Sequence, residues 1–211
     1  NTHSTGQWYH RDLPHYDAQN QYQMITYRLA DSLAQSYLRQ LQEEKDCSYR
    51  RRIEAHLDRS LGSCLLRREE FASIVISSWE YWHKKRYDLI AYVIMPNHVH
   101  LLVRIYEGES LSTILHSWKS WTSHEIHQKQ RALNEEDKIF TPLWQRECWD
   151  RYIRDADHFR NAVHYIHENP VKAGLVSKVE DWPWSSVRQF NSSPASSWRS
   201  QIALAFRLFS S

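Results

Sequence analysis

Tyr87-Asp88-Leu89-Ile90-Ala91-Tyr92-Val93-Ile94-Met95, Pro96-Asn97, His98-Val99-His100-Leu101-Leu102-Val103-Arg104-Ile105 is the stretch from which the rest of the chain is read. Two strongly apolar runs joined by a Pro-Asn turn predict an antiparallel β-hairpin. The second run carries two histidines two residues apart. Side chains at i and i+2 of a strand share a face, so His98 and His100 stand side by side while Val99 and Leu101 turn away. Two imidazoles held on rigid backbone make half of a divalent-metal site. With 13 His in the chain, such a pair also arises by chance, and its meaning depends on what the other segments bring to it.

Upstream of the hairpin, Leu65 to about Arg86 has helical spacing, with Leu65, Phe71, Ile74, Val75, Ser78, Trp79 and Trp82 on one side. Leu61-Gly62-Ser63 separates it from a polar helical stretch, Ser32 to about Ser60. There Lys45, Arg50, Arg51 and Arg52 mix with Glu43, Glu44, Asp46 and Glu54, the pattern of a solvated helix face. Gln21–Leu29 alternates with period two and predicts a strand ended by Asp31-Ser32. Asn1–Asn20, with Trp8, Tyr9, His10, Arg11, Leu13, Pro14 and His15, predicts an irregular arm, suited to strapping the core or to contacting a ligand.

Downstream, Leu111 to Gln130 predicts a helix with Leu111, Ile114, Leu115, Trp118, Trp121 and Ile126 as its apolar positions. Arg131–Lys138 is a charged loop, and Phe140–Trp149 an irregular or short strand segment leading into Asp150–Arg154. A last core helix runs from Ala156 to about Asn169, capped by Asp155 or Asp157 and stopped at Pro170. A Trp182-Pro183-Trp184 corner, a Ser-rich segment and a short amphipathic stretch, Gln201–Phe209, follow. The core order βαββαβ predicts an α+β, ferredoxin-like fold, an antiparallel sheet backed by helices, with one more helix after it. We expect one domain over 1–211, with an N-terminal arm 1–20, a helical insertion about 33–60 and a C-terminal tail about 190–211.

Composition narrows the chemistry. Three cysteines (Cys47, Cys64, Cys148) with no CxxC spacing point to reduced thiols and an intracellular, cytoplasmic protein. No apolar run reaches the roughly 20 residues of a membrane span. A net charge of +2 means that any nucleic-acid surface is local. Ten Trp and 12 Tyr are mostly core and surface filler, yet their faces are also what single-stranded bases stack on. With four Gly and neither GxGxxG nor GxxxxGK[ST], no nucleotide cofactor is expected.

The last core helix reads His164-Tyr165-Ile166-His167-Glu168-Asn169-Pro170. Tyr165 and Asn169, four apart, share a face. A tyrosine hydroxyl attacks only an activated acceptor, and a divalent metal polarising a phosphodiester supplies that activation. Either Asn169 through its amide oxygen or Glu168 through its carboxylate completes the shell begun by His98 and His100, with Mg²⁺ or Mn²⁺ as the ion. Alone, Tyr165 reads as a half-buried aromatic and Asn169 as helix-stop chemistry. Their joint occurrence with the histidine strand makes the case.

Several blocks together resemble the HUH single-tyrosine transposases, and more closely the REP-associated tyrosine transposases. They are Met95–Leu102, Trp118-Lys119-Ser120, Leu143–Arg146, Asp150–Arg154, Tyr165–Leu175 and Asp181–Ser186, with Trp8–Tyr16 and Thr26–Leu33 also fitting. The resemblance covers about residues 7–190. It implies tyrosine attack on single-stranded DNA, giving a 5′-phosphotyrosine link and a free 3′-hydroxyl, with rejoining by reversal. It places Tyr165 at the nucleophile, His98 and His100 at the metal pair and Asn169 at the third ligand. It implies REP (repetitive extragenic palindrome) hairpins with a 5′ guide sequence as substrate, a nucleoid-associated location, and a monomer or homodimer. Arg11, Arg28, Trp118, Lys119, Arg146, Arg154 and Lys172 are the candidate DNA contacts, chosen for charge or stacking near the matched blocks. Two other readings use the same residues: a non-catalytic REP-hairpin binder, and a metal phosphoesterase that uses water.

Overall fold

In the computed structural model the described residues are 7–11, 13–17, 21–34, 37, 49–139 and 141–188. The strands are β1 (Gln7–Arg11), β2 (Leu13–Asp17), β3 (Tyr22–Arg28), β4 (Tyr87–Ile94), β5 (His98–Ile105) and β6 (Trp149–Tyr152). The described α-helices are α1 (Tyr49–Leu57), α2 (Glu69–Trp82), α3 (Leu111–Ala132) and α4 (Ala156–Lys172). Four strands form one sheet in the order β4-β5-β3-β6, every neighbouring pair antiparallel. With α2 and α3 as the crossovers this is the ferredoxin-like βαββαβ arrangement, and α4 is the additional helix. The histidine strand β5 is central, bonded on both sides, so its backbone is held by two ladders.

Alternation along β5 divides the core. Val99, Leu101, Val103 and Ile105 meet Ile25, Tyr27, Tyr92 and the apolar stripes of α2 and α3, including Phe71, Val75, Trp79, Ile114 and Ile126. Leu102 turns to the opposite face, where Tyr22, Met24, Ile90 and Val93 meet Phe159, Ala162 and Ile166 of α4. By the same period of two, His98 and His100 belong to the α4 face.

Four expectations are corrected. Asn1–Asn20 is not an irregular arm throughout: β1 and β2 pair as an antiparallel hairpin from Gln7↔Asp17 to Arg11↔Leu13, in keeping with the β-forming aromatics of this segment. The continuous helix expected over Leu65–Arg86 is a 3-10 turn, Leu65–Arg67, followed by α2. Arg68 is extended between them, while Leu66 N–H donates to Pro96 O at 3.1 Å, fixing this entry to the hairpin turn. At the other end Lys84 adopts φ +63° and its N–H donates to Tyr87 O at 2.8 Å, a tight turn straight into β4.

Pro170 does not stop α4. The helix runs through it to Lys172, although proline lacks the N–H donor and its ring crowds the carbonyl four residues back. Termination comes at Gly174, with φ +69°. Leu175 N–H donates to Pro170 O and Gly174 N–H to Val171 O, both at 2.9 Å, the paired bonds of a Schellman ending. At the start, Asp155 accepts the His158 N–H at 2.7 Å, so of the two proposed caps Asp155 serves.

Trp118, expected as a stacking platform for DNA, is core. It is 1% exposed, its indole N–H donates to Tyr87 Oη at 2.9 Å, and Tyr87 Oη donates to Trp79 O at 2.6 Å. Trp118→Ala is expected to cost about 3–5 kcal/mol, read from the urea midpoint at constant m. A cost below about 1 kcal/mol would show that this indole does not hold α2 and α3 to the sheet.

The Trp-Pro-Trp corner closes the β4 edge. Ile94 N–H donates to Trp184 O at 2.8 Å, Trp182 indole N–H to Ile94 O at 2.8 Å, and Tyr92 N–H to Ser186 Oγ at 2.9 Å. An exposed strand edge invites pairing with another chain, and here the chain's own segment occupies it. No described helix is long and apolar enough to cross a membrane. Of the insertion expected over about 33–60, α1 is described, while residues 35–36 and 38–48, the tail from 189 and the Arg11 side chain lie outside the described residues.

Candidate active site

The α4 face of β3 and β5 changes character along the strands. Tyr22, Met24 and Leu102 are apolar, whereas the last two cross-strand pairs are Thr26↔His100 and Arg28↔His98. Both histidines are 1% exposed. Their rings meet edge to face at 86°, and their Nε2 atoms are 3.0 Å apart.

Hydrogen bonding decides which nitrogens carry hydrogen. Asn97 Nδ2 donates to Leu61 O at 2.9 Å, so Asn97 Oδ1, 2.7 Å from His98 Nδ1, is the acceptor and His98 Nδ1 the donor. The His98 Nε2 lone pair is thereby aimed at His100. Burial first, and the charge of Arg28 second, push His98 down to about 3, so this imidazole is neutral across the physiological range. Thr26 Oγ1 lies 2.7 Å from His100 Nδ1 and can give or take a hydrogen. With the His100 hydrogen on Nε2, the two rings share it. With the hydrogen on Nδ1, donated to Thr26, two lone pairs converge on one point and require a cation there.

These donors suit a divalent metal. Two nitrogens each about 2.1 Å from one octahedral ion would lie about 3.0 Å apart, the separation the strand imposes. Each ring also has an outer partner of the kind that orients ligating histidines. Among the described residues no third His, Cys, Asp or Glu joins the pair, so Glu168 is not brought to it. Asn169 is 2% exposed and lies one helical turn from Tyr165, its Nδ2 3.4 Å from Tyr165 O.

The tyrosine reaches the pair through α4. Phe159, Ala162 and Ile166 bury one stripe of the helix against the sheet, and Tyr165 sits beside that stripe, half-buried. Its ring meets His100 edge to face, centroids 5.4 Å apart at 81°, and Lys172 Nζ lies 5.0 Å from its centroid. His167 Nε2 and Ser186 Oγ are 2.9 Å apart, which links α4 to the segment on the β4 edge.

The remaining candidates separate. Lys172 is at the tyrosine. Arg28 is buried on the histidine face, its Nη1 donating to Ser32 Oγ at 3.1 Å. Lys119 faces inward and donates to the carbonyls of Gln145 and Arg146 at 2.9 and 3.0 Å. Arg146 and Arg154 are exposed. Reading the residues one by one missed Thr26 and Asn97. The signal for Asn97 is its place before the first histidine, where a turn residue with a side-chain amide can reach back to an imidazole.

Residues 68–192 match the family described as Transposase IS200 like. The chain belongs to the IS200-like transposase family. Over 104 residues it is 31% identical to the REP-associated tyrosine transposase of Escherichia coli K12, covering 49% of this chain and 56% of that one. Over 106 residues it is 32% identical to a Haemophilus influenzae protein named for the same group, covering 49% and 60%. The matches thus span less than two thirds of either relative. A solved REP-associated tyrosine transposase bound to a REP hairpin superposes over 86% of this chain and 82% of that one, with TM-score 0.53 and 21% identity, and shares its fold. For an IS200-like chain the outer partner of His98 can be tested directly. Asn97→Ala is expected to weaken Mn²⁺ binding by about 10–100-fold, measured calorimetrically on the intact chain; unchanged affinity would remove Asn97 from the metal's support.

Proposed function

We propose that this chain cuts and rejoins single-stranded DNA at REP hairpins, using Tyr165 as nucleophile and a divalent ion, Mg²⁺ or Mn²⁺, held by His98, His100 and Asn169. The observation that carries this reading is the Tyr165 ring packed on His100 while the Nε2 atoms of both histidines converge beside it. Bound there, the ion would polarise the scissile phosphate.

The chain's own residues do the rest. Central strand β5 holds the histidines, Asn97 and Thr26 orient them, and α4 sets the phenol against the same point, so nucleophile and acceptor are brought together by two packed elements. The Lys172 ammonium, 5.0 Å from the ring centroid, sets a positive charge beside the attacking side chain. Tyr165 Oη gives up its proton and bonds to phosphorus as the P–O3′ bond breaks. The departing oxygen takes a proton and becomes a free 3′-hydroxyl, while the other segment stays on the protein through its 5′-phosphate. The phosphoester is conserved in the link, so reversal rejoins a strand without a nucleotide cofactor.

The test is a denaturing gel of the chain incubated with a labelled oligonucleotide carrying a REP hairpin and its 5′ guide. An adduct that survives denaturant with Mg²⁺ or Mn²⁺ and is absent in EDTA is expected. Tight binding with no cleavage under any metal would replace this reading with a non-catalytic hairpin binder.

A further inference from the structure

Lys119 lies on α3, on the far side of the sheet from Tyr165, and its ammonium is committed to one object. It donates to three successive carbonyls, Gln145, Arg146 and Glu147, at 2.9, 3.0 and 3.5 Å. An ammonium has three donors, and all three are used on one loop. The same loop is tied to the end of β3. Ala30 N–H donates to Leu143 O and Gln145 N–H to Arg28 O, both at 2.9 Å, and Leu29 bridges Trp144. Trp144 indole N–H donates to Thr122 Oγ1 at 2.9 Å, so α3 anchors the loop twice.

The placement has a consequence for the site. Arg28 pairs with His98 across β3 and β5, and residues 144–145 bond to the other side of β3. The loop therefore runs about two strand spacings, ~10 Å, from the His98 backbone, within reach of a strand threaded past the histidines. At its tip Arg146 is exposed. A flexible loop would pay ordering entropy each time that guanidinium met a phosphate; a braced one does not.

We propose that Lys119 is a positioning residue, a brace that holds the Gln145–Glu147 loop so that Arg146 meets the backbone of the bound DNA strand. This rests on the DNA-cutting role proposed above. It reverses the expectation that Lys119 itself contacts DNA: its charge is satisfied inside the protein, where burial lowers its pKa. A brace and a contact differ in how their loss combines with loss of Arg146.

The experiment is a double-mutant cycle on the affinity of the full chain for the hairpin oligonucleotide in EDTA, by fluorescence anisotropy over a salt series. Arg146→Ala should weaken binding several-fold and lower the salt slope by about 1. Lys119→Met should weaken it comparably, and the double variant should be no weaker than Arg146→Ala alone. Should Lys119→Met fail to fold, Lys119→Arg serves. It keeps the charge but replaces a compact three-donor head with a planar fork, and is expected to weaken the parent chain but not the Arg146→Ala background. Additive losses, or an Arg146→Ala variant with unchanged affinity and slope, would overturn the brace. A parent chain that ignores the hairpin would instead overturn the DNA-cutting role itself.

Discussion

Tyr165→Phe is expected to abolish the covalent protein–DNA adduct and leave hairpin affinity within about twofold. Removing a nucleophile of this kind costs on the order of 10⁴–10⁶ in rate, which takes a gel band below detection. Phenylalanine is the right probe because it keeps what the ring does structurally. The edge-to-face contact with His100 at 5.4 Å and the Lys172 ammonium 5.0 Å from the centroid both need a ring and no hydroxyl. Any loss of adduct then reports on Oη alone. Three outcomes separate the chemistries. Loss of both cutting and adduct supports attack by Tyr165. Continued cutting with no adduct on either protein points to activated water. An undiminished adduct overturns the assignment, and Tyr152 on β6, half-buried, becomes the next hydroxyl to test.

The fold was legible because its decisive segments obey local rules. Tyr87–Ile105 announces a hairpin by two apolar runs and a Pro-Asn turn, and alternation alone puts His98 and His100 on one face. The side chains that sequence reasoning misplaced are those whose role depends on a distant partner. Trp118 sits beside Lys119 in a basic, aromatic block that suits DNA, yet its N–H is matched to the hydroxyl of Tyr87, 31 residues away in sequence, and nothing local shows that. That the Lys119 ammonium meets the carbonyls of Gln145–Glu147 is likewise invisible in its local sequence.

Pro170 illustrates the opposite error. The stronger stop signal stands four residues on, where Gly174 in the left-handed region closes the helix. The difference matters, because Asn169 then lies within a helical turn and keeps its register with Tyr165. Of the third-ligand candidates the sequence left open, Asn169 is buried, 2% exposed, and Glu168 forms no cluster with the histidines among the described residues, a placement that spacing alone does not show.

His98→Ala and His100→Ala are each expected to lower Mn²⁺ affinity by more than the about 10–100-fold assigned to losing an outer partner, and to remove the adduct. The reason lies in the 3.0 Å separation of the two Nε2 atoms. Each lone pair alone is an ordinary acceptor, and their convergence makes a cation the favoured occupant. Deleting either ring removes a ligand outright. Hairpin affinity in EDTA should be retained by both variants, since neither ring is at the surface. The ranking is the sharper test: His98→Ala and His100→Ala should each exceed Asn97→Ala in lost metal affinity, because Asn97 acts only through the hydrogen bond that holds His98 Nδ1. Calorimetry with Mn²⁺ and the denaturing gel on the same preparations would check both orders at once. Full metal affinity and an undiminished adduct in either histidine variant would detach the metal from this strand, and with it the geometric reason for placing a phosphate under Tyr165.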